Sequence, residues 1–196
     1  MKPTTQFLAL FAIAIFAFSC KKSTNKGTLA SGVYVVGNIE ISNPNDIRPM
    51  IWKDGVASQL TNSGWGSANA VSIYGADVYV GGFAMLSDSL QHAVVWKNGN
   101  IIVQHIPDST MPASVTSVKA VANGVYACGN YYNHNAGQYY PVYWVNGVMK
   151  TLEDSTCLAH AIYVSGNDVY VGGQYSNMLM MDYPVIWKNG KIIFKD

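Results

Sequence analysis

The sequence predicts an all-β chain of four related units, each built from four short antiparallel strands and together following a secretory signal. Three observations carry that prediction. A segment of the form Val-Tyr-x-x-Gly recurs four times, at Val33–Gly37, Val78–Gly82, Val125–Gly129 and Val169–Gly173. A second segment recurs in step with it, at Pro49–Gly55, Ala93–Gly99, Pro141–Gly147 and Pro184–Gly190, so that Trp52, Trp96, Trp144 and Trp187 hold one repeat position. Their spacing of about 45 residues is the scale of one four-stranded repeat. No stretch beyond the signal sustains helical periodicity.

Residues 1–19 read as an address. Lys2 opens them, an uncharged apolar run extends from Phe7 to Phe18, and the small residues Ala17 and Ser19 precede Cys20. A dozen residues rise only about 18 Å as a helix, well short of a hydrocarbon core of about 30 Å. A cleaved signal is therefore the stronger reading than a spanning anchor. The end of the run, Ala17-Phe18-Ser19-Cys20, resembles the lipobox of bacterial lipoproteins. That resemblance implies a lipid on Cys20, a membrane as partner and a place in the bacterial cell envelope. Residues 20–31 then form the lipidated cysteine and a flexible tether, because Lys21–Gly27 is polar and aperiodic. The tether lacks the acidic run that sends some lipoproteins to the cell surface, which favours the periplasmic face of the outer membrane.

Residues 32–196 form the repeat domain, in units of about 32–66, 67–114, 115–157 and 158–196. Each of the later three units opens on an inner strand with a small-x-small-apolar-x-apolar pattern, at Ala68–Ile73, Val115–Ala120 and Ala159–Val164. The Val-Tyr strand and the tryptophan strand follow. An Asn-Gly or Asp-Gly pair then leads to an outer strand, at Val56–Leu60, Ile101–Ile106, Val148–Leu152 and Lys191–Phe194. Such pairs between apolar runs are a strong hairpin signal, because a type I′ turn needs positive φ at both central residues. Lys26–Ser31 stands where the first inner strand belongs but lacks its pattern, so the first unit has no clear inner strand.

Four-stranded units of this length are the mark of β-propeller blades, making the expected architecture a β-propeller-like array. The Tyr-Val-Gly-Gly ends resemble the diglycine strand of kelch repeats. The whole pattern, Val-Tyr-Val-x-Gly followed by Val-x-Trp-Lys-Asn-Gly, resembles a group of uncharacterised bacterial repeat lipoproteins, over residues 32 to 196. That resemblance implies an architecture and no chemistry. A closed four-blade ring, an open arc and a homodimer sharing a larger ring are all compatible with it.

Charged residues make up 12% of the chain, against about 25% in typical soluble proteins. Thirteen tyrosines, 18 glycines and 5 tryptophans suit pleated, turn-rich structure. A net charge of +1 without a basic cluster gives no case for nucleic acid. Cys128 and Cys157 fall in different strands with no spacing that joins them, which favours two buried free thiols over a disulfide. The four histidines, His92, His105, His134 and His160, lack zinc spacing, and no metal or other cofactor is expected. Asp77 and Asp168 recur just before the Val-Tyr strand, where an aspartate tightens a turn. No nucleophile elbow, phosphate loop or calcium loop is present, so no catalytic residue is assigned.

Function is expected where the repeat breaks down, because loops on a rigid scaffold carry variable chemistry. The loops between strands gather Trp65, Tyr131, Tyr132, His134, Tyr139 and Tyr175 beside amides, which suits a glycan or protein ligand. The expected function is a membrane-tethered, non-catalytic binding module. Two alternatives stand beside it: a glycan-active hydrolase or lyase using carboxylates such as Asp108 and Asp154, and a truncated member of a longer repeat family.

Overall fold

A computed structural model describes residues 30–41, 46–61, 65–105, 111–154, 156–176 and 181–196, so Cys20 and Asp108 lie outside the described residues. Every regular element among them is a strand. The first sheet holds β1 (Tyr34–Glu40), β2 (Ile47–Lys53) and β3 (Val56–Gln59). The second holds β4 (Gly66–Tyr74), β5 (Asp77–Met85), β6 (Gln91–Lys97) and β7 (Asn100–His105). β8 (Ala113–Val121), β9 (Gly124–Asn133), β10 (Gln138–Val145) and β11 (Val148–Thr151) make the third. β12 (Cys157–Ser165), β13 (Asp168–Ser176), β14 (Asp182–Lys188) and β15 (Lys191–Lys195) make the fourth. All four are antiparallel meanders, arranged as blades of a propeller-like array. The first has no described inner strand.

One device repeats at the foot of every blade. Asp54, Asn98, Asn146 and Asn189 take φ of 51° to 52°, and each is followed by a glycine at 82° to 87°. This is the left-handed pair that a two-residue hairpin demands and that Asn-Gly adopts at least cost. Each side chain then turns back to its own blade, its oxygen accepting the backbone N–H of Val33, Val78, Val125 or Val169 at 2.8 to 2.9 Å. In two blades an aspartate completes the cluster. Asn98 Nδ2 donates to Asp77, which also pairs with Lys97 Nζ at 2.7 Å; Asn189 does the same with Asp168 and Lys188, the ion pair there spanning 2.8 Å. Asn98→Ala loses both of these side-chain hydrogen bonds and a residue that tolerates the left-handed conformation, a cost of about 1–2 kcal/mol. The expected result is a lower urea midpoint with an unchanged slope.

The diglycine strand has a steric cause. Opposite Gly82, Gly129 and Gly173 the inner strand carries a bulge, between Ala68 and Ala70, Val115 and Ser117, and Ala159 and Ala161. The bulge drives a backbone carbonyl at the glycine: a Cβ there would stand 1.8 to 1.9 Å from the oxygen of Ser67, Ser114 or Leu158.

Successive blades pack through the inner strand of the later one. β4 lies on β1 and β2, β8 on β4, β5 and β6, and β12 on β8, β9 and β10. Strand alternation gives each blade two faces. Its tryptophan face turns to the preceding blade, where Trp96 meets Val36 and Ile51, and Trp144 joins Val95 and Ala93. Trp187 closes over Cys128 and Tyr143 in the same way. These three tryptophans are fully buried, whereas Trp52 is only partly buried, because among the described residues no blade covers its face. The first and fourth sheets share at most marginal contact, so the described strands form an open array.

Candidate functional site

The site is built at the end of the array opposite the Asn-Gly turns, around the β9–β10 hairpin. Gly137, at φ 66°, closes its loop with an N–H donated to Asn133 O at 2.8 Å, and Asn133 Oδ1 accepts from Ala136 N. The register sets Tyr132 opposite Tyr139 and Tyr131 opposite Tyr140. Alternation therefore sends the two pairs to opposite faces. Tyr131 stacks on Tyr140, with centroids 5.4 Å apart, and packs against the Val115, Val142 and Trp144 cluster toward the second blade. Burial and the neighbouring Tyr140 push its hydroxyl pKa up. Tyr132 meets Tyr139 edge-on at 5.0 Å and His134 at 5.0 Å, forming an aromatic corner toward the fourth blade.

Tyr139 stands 54% exposed between two clefts. One, of about 290 Å³, is lined by Gln91, Pro112, Ser114, Asn130, Tyr139 and Leu158. The other, of about 460 Å³, brings Tyr132, Gly137 and Tyr139 against Thr156, Leu158 and Ser176. Neither lining contains a charged residue. Asn130 is already engaged, its Oδ1 accepting Ala159 N and its Nδ2 donating to Ala159 O, so it fixes the fourth blade beneath the cleft. Gln91 likewise donates to Ala113 O. The clefts thus offer a rigid polar floor with aromatic walls.

The remaining sequence candidates lie apart from that corner. Tyr175 stacks on Tyr183 at 5.3 Å, lies under Lys195 Nζ at 4.0 Å and packs against the core of the third and fourth blades. Trp65 packs edge-on to Phe83 at 5.0 Å, and its carbonyl accepts Met85 N. Gln91, Pro112 and Leu158 escaped the sequence reading. They come from three blades, and only their exposure beside an aromatic corner marks them.

Asp154 is held well down, to about 2, first by the Lys195 ammonium and then by the Thr156 hydroxyl. A folded pKa below the unfolded value of about 3.9 stabilises above pH ~4 and loses that stabilisation as pH falls toward 2. Part of the pair is solvent-exposed, which reduces the contribution to about 1 kcal/mol. Acid titration of the unfolding midpoint should show this step in the wild type and a smaller one in Asp154→Asn. His92 Nε2 contacts Asp88 at 2.8 Å at a buried position of the second blade. Cys128 and Cys157 are free and buried, and burial pushes their thiols up to about 12 and about 11. Among the described residues, no group of three or more His, Cys, Asp or Glu side chains could hold a metal ion. No helix among them is long and apolar enough to cross a membrane.

No family model and no curated protein matches the chain. Among solved structures it is similar to Pyrococcus horikoshii acylaminoacyl peptidase (orthorhombic crystal form), at 14% identity and a TM-score of 0.49. The match covers 84% of this chain and 26% of that one, so this chain spans about a quarter of that protein's length.

Proposed function

We propose that the protein is a lipid-anchored, non-catalytic binding module of the bacterial cell envelope, with a glycan as ligand in the clefts beside Tyr139. One observation carries the reading: two adjoining uncharged clefts share an exposed tyrosine, backed by Tyr132 and His134. A sugar presents apolar C–H faces to aromatic rings and hydroxyls to amides and backbone, and neutral walls suit it better than a charged peptide. Convergent polar groups in a mostly apolar cleft are the general form of a small-ligand site. The catalytic alternative has less support. General-acid work needs a carboxyl raised toward neutrality, whereas Asp154 is held low in an ion pair.

The address and the ligand are tested separately. Cys20→Ser should abolish incorporation of labelled palmitate and release the protein from the membrane fraction; labelled Cys20→Ser protein would refute the anchor. An immobilised oligosaccharide panel, probed with wild type and with Tyr132→Ala/Tyr139→Ala, tests the ligand. Binding lost in the double variant and kept in Trp65→Ala supports the cleft. Equal retention in both variants would place the ligand elsewhere.

A further inference from the structure

The array has two open ends, and they are the two halves of a joint that the chain makes three times internally. On the fourth blade, Gly172 faces Ile186 in the register, as Gly81 faces Val95 in the second blade and Cys128 faces Tyr143 in the third. At Gly81 the next blade comes so close that a Cβ would stand 2.5 Å from Val115 Cγ1; at Gly172 a Cβ would meet nothing within 4 Å. Val95 and Tyr143 are buried, whereas Ile186 is 39% exposed. Tyr163 and Phe194 extend the same uncovered apolar face.

The other end is its counterpart. Val35 pairs with Trp52 as Val80, Ala127 and Val171 pair with their own tryptophans. Those three are buried to within 2% by the preceding blade, while Val35 is 54% exposed and Trp52 half-buried. Among the described residues, no blade covers the face that elsewhere receives a preceding blade, and none covers the face that elsewhere receives a following one.

We infer that a second copy of this chain covers both, the Gly172 face of each copy docking on the Val35–Trp52 face of the other. The contact is heterologous, and two copies close it into one ring of eight blades. Area favours closure over a single contact. Strands of 7, 7 and 4 residues on the first blade and of 9, 9, 7 and 5 on the fourth, at about 3.3 Å per residue and 4.8 Å between strands, make faces of about 290 Å² and about 470 Å². One joint therefore buries only about 760 Å², below the range of stable interfaces, while two bury about 1,500 Å², within it. The joint differs from the internal ones in having no inner strand on the first blade among the described residues, so Val35 and Trp52 themselves meet Gly172 and Ile186.

Sedimentation equilibrium of the full chain in density-matched detergent tests this, with Gly172→Arg and Val35→Arg alongside. Both substitutions enter open space, so each variant should keep the wild-type melting curve when measured dilute. The expected wild-type mass is two protomers at every loading concentration above dissociation, halved in either variant. A wild type of one protomer throughout overturns the proposal. So does a mass that climbs without limit, or a dimer that survives either arginine, since a head-to-tail ring needs both faces.

Discussion

Gly129→Ala is expected to melt about 10 °C below the wild type, while Gly37→Ala melts within about 2 °C of it. The two glycines hold the same repeat position, and their surroundings differ in one element. A Cβ on Gly129 would stand 1.9 Å from Ser114 O and 2.9 Å from Ser114 C, both backbone atoms of the paired inner strand. Relief requires two hydrogen-bonded strands to separate by more than an ångström, at a cost of about 3 kcal/mol or more. A Cβ on Gly37 would meet only the ring of Trp52, at 3.6 Å, an ordinary contact. Differential scanning calorimetry reads both. Equal losses at the two positions would mean that an inner strand lies against β1 as it does against β9.

Truncating the repeated tryptophans should give the second large effect, again unequal. Trp187→Ala opens a cavity in a fully buried cluster with Cys128, Tyr143 and Val171, a cost of about 3–5 kcal/mol. It also strips Glu153 O of the indole N–H that it accepts at 2.7 Å. Trp52→Ala removes a side chain that is only partly buried and should cost clearly less, at concentrations where the chain is monomeric. Urea unfolding followed by circular dichroism reads the difference. Equal losses would show that something covers the Trp52 face even in the isolated chain.

The repeats were legible because each answers a local demand. Asn98-Gly99 and its three counterparts announce a type I′ turn from two residues alone. The return bond from each Asn or Asp side chain to the Val-Tyr strand then explains why that residue recurs. The second glycine of Gly81-Gly82 was visible as a repeat, but its cause, a bulged carbonyl on a neighbouring strand, exists only once strands pair. The four tryptophans hold one repeat position in the sequence, yet Trp52 differs from the rest in burial. A face is core only if another blade covers it, and its own sequence does not say so.

The candidate site was legible in part for a similar reason. Tyr131 and Tyr132 are adjacent in sequence and go to opposite faces of β9, so grouping them as one surface joined a core-facing ring to a cleft-facing one. Tyr132, His134 and Tyr139 were within reach of a sequence reading because one hairpin holds all three. Gln91, Pro112 and Leu158 were not, since three separate blades bring them to Tyr139.

On the proposed function, the clefts beside Tyr139 hold a glycan. Calorimetric titration of an oligosaccharide selected from the panel, into wild type, Tyr139→Ala and Tyr175→Ala, tests it most directly. Saturable binding that weakens about tenfold or more in Tyr139→Ala, a loss of about 1.4 kcal/mol, and stays near wild type in Tyr175→Ala is the predicted result. Unchanged affinity in Tyr139→Ala would contradict it.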